Sequence, residues 1–155
     1  MANAQSKWRE YLWYYAPLVF WIIIVFVLSS NTGSMSNTSR IIRPLLVFLF
    51  PDITDASIAS VQIYTRKTAH FVLYFVLGFL AARAFSSFAA DFLRKKWFAA
   101  ALFLVVLVAA IDEANQSFLA SRTGSIYDVL LDAAGGATAL LIFYFWHKKS
   151  GQANL

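Results

Sequence analysis

Four long apolar stretches constrain the fold of this 155-residue chain more than any other feature. Crossing a bilayer takes about 20 residues of helix, and each stretch comes close to that length. A chain that is 60% hydrophobic and only 14% charged is typical of a membrane protein. We therefore predict an all-α integral membrane four-helix bundle that forms a single domain over residues 1–155. The predicted spans cover about residues 11–29, 65–85, 96–114 and 126–146.

A shorter apolar segment, residues 39–51, separates the first two spans and cannot cross a bilayer. We predict a short interfacial or re-entrant helix with Pro44 near its first turn, and the alternative is a solvent-side loop. The second helix is expected to start well upstream of its apolar part. Asp52 or Thr54 can cap its free amides.

The distribution of basic residues predicts the topology. Eight of the thirteen lysine and arginine residues lie before span one, in the loop between spans two and three or at the span ends that flank it, or after span four. Cytoplasmic segments of membrane proteins are enriched in these residues, so both termini are expected in the cytoplasm. On the opposite side, Arg66 is interpreted as an interfacial anchor as readily as a functional residue. The scattered basic residues do not favour nucleic acid as a partner, and the absence of cysteine excludes disulfides and thiolate metal sites.

Ionisable and polar residues crowd the outer ends of the apolar stretches, where a charge costs several kcal/mol unless it is paired or hydrated. Helical periodicity places Lys67, His70 and Tyr74 on one face of span two, and Asp112 and Gln116 on one face of span three. A bundle can turn three such helix ends toward one outer pocket. The candidate ligand-binding residues are Lys67, His70, Tyr74, Asp112, Glu113, Gln116, Arg122, Ser125, Asp128 and Asp132.

Among these residues, Asp132 is the hardest to explain as a solvated helix end. It lies a full turn inside span four, so a partner such as Lys67, His70 or Arg122 is expected. The pair Gly135-Gly136 follows on the same span, where small residues let another helix approach.

Two strings along the chain resemble the signature of VanZ-like membrane proteins. They are RKTAHFxxYxxxG over residues 66–78 and DExxQxFxxxRxGSxxDVxxDxxG over residues 112–135, and the serine-rich exit of span one is also similar. The family is named for a protein linked to resistance to the glycopeptide antibiotic teicoplanin. The resemblance implies an envelope function in the cytoplasmic membrane of a bacterium. Asp132 stands where many members are expected to have asparagine, which would favour a cationic or metal-bridged ligand.

Two functional hypotheses follow. In the first, the pocket binds a lipid headgroup, a lipid-linked cell-wall precursor or a lipoglycopeptide, with Lys67 and Arg122 pairing with phosphate. In the second, the protein is a small intramembrane enzyme acting on a lipid-linked phosphate or acyl group. His70 would then be the acid or base, oriented by Asp112 or Asp128. No cofactor is expected, and a metal site is less favoured because no established ligand spacing is present.

Overall fold

The structure, a computed structural model, describes residues 2–30, 35–87, 90–117 and 125–152, and in these ranges it contains helices and no strands. This confirms the predicted all-α class. The helices in chain order are α1 (Ala2–Ser29), α2 (Met35–Leu49), α3 (Asp55–Ser87), α4 (Asp91–Lys95), α5 (Trp97–Ser117) and α6 (Ile126–Gln152).

Four of these helices contain segments long and apolar enough to cross a membrane: Trp8–Ser29, Asp55–Ser87, Trp97–Ser117 and Ile126–Lys149. They overlap the four predicted spans. Four crossings return the chain to the face from which it started, so the beginning of α1 and the end of α6 lie on the same side. Helix α3 begins ten residues before the predicted span, and this confirms the expected upstream start.

The early start of α3 has a local cause. The Ser57 amide donates a hydrogen bond to Thr54 Oγ1 over 3.2 Å, and the Ile58 amide donates to the Thr54 carbonyl over 3.0 Å. Thr54 is therefore the cap, and Asp55 in the first turn is favoured by the helix dipole. The segment before residue 65 continues the helix although it is less apolar than the span itself.

Helix α2 confirms the short helix predicted between the first two spans and excludes the loop alternative. It begins at Met35 rather than near residue 39, so Pro44 lies inside the helix and the prediction of a first-turn position was wrong. The helix is amphipathic, and its Ile41 and Phe48 side chains are largely exposed. A contact of 2.7 Å between Arg43 Nη2 and Asp55 Oδ1 joins α2 to α3.

The centre of the bundle is α3, which packs against α1, α5 and α6. Its contact with α6 is close because glycines meet there. A Cβ atom on Gly78 would lie 2.6 Å from the carbonyl oxygen of Gly136, and one on Gly135 would lie 2.4 Å from that of Phe71. Small residues at such positions let helix backbones approach in a membrane, where apolar lipid gives helices little hydrophobic reason to associate. The predicted packing function of Gly135-Gly136 agrees with this geometry.

Two contacts fasten α1 to α3. The Trp21 indole donates a hydrogen bond to the Leu73 carbonyl over 2.9 Å. At the other end of the span, the Arg83 guanidinium lies over the Trp13 and Tyr14 rings, 5.4 and 5.0 Å from their centroids. With α1 held along α3 in this way, its last residue, Ser29, lies beside polar residues at the ends of the neighbouring helices.

Candidate functional site

A buried hydrogen-bond network joins the ends of α1 and α5. Ser29 Oγ donates to Asp112 Oδ2 over 2.6 Å, and Gln116 Nε2 donates to the same oxygen over 3.0 Å and also to Ser29 Oγ. Arg66 on α3 extends the network by donating from Nη2 to Gln116 Oε1 over 3.2 Å. Because Asp112 and Gln116 are one turn apart on α5, their side chains share the face predicted from the sequence.

Two charged contacts bridge α3 and α6 beside this network. Lys67 Nζ lies 3.3 Å from Asp128 Oδ1, and His70 Nδ1 lies 3.3 Å from Asp132 Oδ2. The first pair is partly exposed, with 49% and 26% of the two side chains accessible, whereas the second pair is nearly enclosed at 12% and 2%. Asp132 thus has a partner of the kind expected, and that partner is His70.

A cleft of about 60 Å³ opens between α3 and α6 at these pairs, and we call it the α3–α6 cleft. Two of its walls are apolar, and the others carry charge of both signs. An ordered water needs about 10–15 Å³ of such space, so the cleft has room for a small polar group of a few non-hydrogen atoms. Its lining residues are Ile63, Arg66, Lys67, His70, Asp128, Leu131 and Asp132.

One buried polar atom at the cleft, Asp132 Oδ1, lacks a hydrogen-bond partner among the described residues. Tyr74 lies one turn beyond His70 on α3 and is fully buried, and its hydroxyl faces the Asp112 and Asp132 carboxylates, of which Asp112 accepts its hydrogen bond. Buried polar groups are normally satisfied, so the unpaired oxygen of Asp132 requires an explanation.

Glu113 and Ser125, two further candidates, make contacts that hold helices together. Glu113 is buried on α5, and its Oε1 accepts a hydrogen bond of 2.5 Å from the Ser125 amide. Ser125 Oγ in turn accepts from the Tyr127 amide at the start of α6 over 3.2 Å. These contacts fix the first turn of α6 against α5. Arg122 lies outside the described residues.

Two residues of the network were absent from the predicted set. Ser29 was noted only as part of the serine-rich exit of span one, and Arg66 was interpreted as an anchor. Only the resemblance to VanZ-like proteins could have predicted them, since Arg66 is in the first string and Ser29 in the serine-rich exit of span one. Their spacing does not distinguish them from ordinary residues at a membrane boundary.

A metal ion could be held by His70, Asp112 and Asp132. One nitrogen or oxygen donor from each lies within 4.8 Å of a donor from each of the other two. They come from three different helices, and for this reason the chain shows no short ligand motif.

Four helices long and apolar enough to cross a membrane, with a polar cluster near one end of the bundle, define a small multi-span membrane protein with a buried polar site. The chain belongs to the VanZ/LLP1 family, whose sequence profile matches residues 12–147, and this confirms the resemblance. Neither the curated proteins nor the solved structures compared with it give a match.

Proposed function

We propose that this VanZ-family protein is a bacterial envelope protein that binds a phosphate-bearing headgroup in the α3–α6 cleft. The ligand would be a membrane lipid or a lipid-linked cell-wall precursor. The observation that carries the proposal is the pair Arg66 and Lys67, two cations lining a small cleft at the polar end of an apolar bundle. Charge in this position is seldom present in a membrane protein without a use.

Lys67 can exchange its present partner for a phosphate at low cost. Its contact with Asp128 is long, at 3.3 Å, and its side chain is about half exposed. Exposed ion pairs contribute about 0–1 kcal/mol, so an anionic ligand would compete easily. Arg66 has five N–H donors, of which Nη2 makes its one hydrogen bond among the described residues. The other donors suit a phosphate oxygen.

The walls of the cleft favour a lipid over a soluble phosphate. The apolar side chains of Ile63 and Leu131 line it, and Ile63 is exposed on the surface of the bundle. An acyl or prenyl chain can therefore remain in the bilayer while its headgroup enters. Asp128, which lines the cleft, is suited to accept hydrogen bonds from hydroxyl or amine groups beyond the phosphate. The small volume fits a headgroup better than a whole lipoglycopeptide.

The basic residues support a topology with both termini in the cytoplasm, and the cleft would then face the outer leaflet of the cytoplasmic membrane. A site in that leaflet meets lipid-linked precursors after their translocation and is also accessible to antibiotics that bind them. This placement agrees with an envelope function.

Thermal unfolding in detergent with defined lipids tests the proposal. Phosphatidylglycerol or undecaprenyl phosphate should raise the melting temperature more than phosphatidylcholine does, and Lys67→Gln should remove most of the difference. Lys148→Gln, an exposed charge at the opposite end of α6, is the matched control and should keep it. Soluble glycerol phosphate separates headgroup binding from lipid binding. Equal stabilisation by anionic and zwitterionic lipids, or equal losses in both variants, would contradict the proposal.

The enzyme hypothesis is a second candidate because His70 is held by a carboxylate. The partner is Asp132, and neither Asp112 nor Asp128 occupies the orienting position that the sequence suggested. Asp128 pairs with Lys67, and Asp112 accepts from Ser29 and Gln116.

A hydrolase using His70 as acid or base should release phosphate from a lipid-linked diphosphate in vesicles. His70→Gln should abolish that release while the lipid-dependent rise in melting temperature persists. An unchanged rate in this variant would exclude the role of His70.

A further inference from the structure

Two carboxylates are buried at the base of the α3–α6 cleft with little positive charge to balance them. Asp112 is 2% exposed and Asp132 is 1% exposed. Among the described residues, neither forms an ion pair with lysine or arginine; Asp132 Oδ2 pairs with His70 Nδ1, and Asp112 Oδ2 accepts hydrogen bonds from Ser29 and Gln116. Carboxylates in an apolar bundle are costly unless they are paired or coordinate a cation.

One donor atom from each of His70, Asp112 and Asp132 lies close enough to the others for a single ion to reach all three. Because all lie within 4.8 Å of one another, an ion at their centre would be no more than about 2.8 Å from each donor. A contraction of less than about 1 Å reaches the roughly 2.0–2.2 Å of Zn²⁺–N and Zn²⁺–O bonds. The spacing of 3.3 Å between His70 Nδ1 and Asp132 Oδ2 already equals that of two ligands on one tetrahedral ion, about 3.3 Å.

A second observation does not depend on these distances. Asp132 Oδ1 is buried and without a hydrogen-bond partner among the described residues. A cation or its bound water would satisfy this oxygen, which the present protein contacts leave unpaired.

We propose that His70, Asp112 and Asp132 bind a divalent metal ion, with the Tyr74 hydroxyl beside it. One imidazole nitrogen with carboxylate oxygens favours a first-row ion such as Zn²⁺ or Mn²⁺ over Ca²⁺ or Mg²⁺, which prefer oxygen ligands alone. Ser29 and Gln116 hydrogen-bond Asp112 Oδ2 and so hold this carboxylate in position, as the outer partners of metal ligands do. The site stands independently of phosphate binding.

Metal content and thermal unfolding give the first test. Protein purified without a polyhistidine tag should contain about one equivalent of Zn²⁺ or Mn²⁺. A chelator should lower its melting temperature, and returning the metal should restore it. Asp132→Asn and Asp112→Asn should lose the metal, whereas Glu113→Gln, a buried acid on α5 whose oxygens are not in the cluster, should keep it. Absence of bound metal together with no response to Zn²⁺, Mn²⁺ or chelator would overturn the proposal.

Pulsed electron paramagnetic resonance of the Mn²⁺-loaded protein gives a second test that leaves the site intact. The chain has two histidines, His70 and His147, and the latter stacks on Phe143 near the end of α6. Mn²⁺ bound to His147→Gln should still show coupling to an imidazole nitrogen, because His70 alone can supply it. Loss of the coupling in that variant overturns the proposal even if both aspartate variants fail to fold. The proposal is also overturned if Mn²⁺ bound to His70→Gln still shows coupling to an imidazole nitrogen.

Discussion

Replacing Gly135 with alanine tests whether the close approach of α3 and α6 holds the site together. The added methyl carbon would lie 2.4 Å from the carbonyl oxygen of Phe71 on α3. This obstacle is backbone, so no side-chain rotation relieves it, and the two helices must separate. Gly136 differs, because its added carbon would meet the Val105 side chain, also at 2.4 Å.

The size of the effect follows from these distances. A carbon and an oxygen in ordinary contact are about 3.3 Å apart, so Gly135→Ala forces a local separation of nearly 1 Å. Overpacking of this kind costs about 1–3 kcal/mol. Because the obstacle is backbone, we expect a cost in the upper part of this range, about 2–3 kcal/mol. Alanine regains up to about 1 kcal/mol of helix propensity, which leaves an expected loss of about 1–2 kcal/mol in the free energy of unfolding. The same shift lengthens the contact between His70 and Asp132, so metal binding should weaken in parallel.

Unfolding by sodium dodecyl sulfate in mixed micelles measures these free energies. Ala134→Leu, on the exposed side of α6, is the control and should change stability by less than about 0.5 kcal/mol. In a double-mutant cycle, Val105→Ala should reduce the destabilisation caused by Gly136→Ala. It should not reduce the destabilisation caused by Gly135→Ala. The reasoning is refuted if Gly135→Ala unfolds with the wild-type free energy, or if Val105→Ala rescues both glycine variants equally.

Other predictions concern single contacts and topology. Ser29→Ala should lower the unfolding free energy by about 1–3 kcal/mol in the same assay, because it leaves two buried partners short of a hydrogen bond; no loss would argue against the network. Arg43→Gln should cost less than about 1 kcal/mol, since its ion pair with Asp55 is exposed, and a larger loss would show that α2 is essential to the bundle. A reporter fused after Leu155 should be cytoplasmic, and an extracellular signal would reverse the assigned orientation.

The spans were predictable because length and apolarity alone determine a membrane crossing. Helix ends outside the apolar stretches depend on weaker signals. The start of α3 could be predicted from the Thr54 cap, but the start of α2 could not. Its first residues are polar, and the interior position of Pro44 conflicts with the usual place of proline at a helix start.

The site was partly predictable, for a different reason. Helical spacing shows which residues share a face of one helix, and the sequence analysis could limit the expected partners of Asp132 to a few residues, including His70. Which faces meet depends on packing between helices, and single-helix periodicity carries no such information. Ser29 and Arg66 enter the network only because α1 and α3 pack beside α5. The donors of His70, Asp112 and Asp132 likewise come from three helices and leave no ligand motif in the chain.

The charges around the cleft connect the two proposals. Arg66 and Lys67 are balanced by Asp128 and Asp132, and Asp112 behind them gives this set a net charge of about −1 with His70 neutral. A phosphate entering such a site would meet acidic groups as well as its two cations, which weakens binding. A divalent ion bound to Asp112 and Asp132 raises the net charge of this set of residues to about +1. The buried metal would therefore convert a membrane site of net negative charge into one that favours an anionic headgroup.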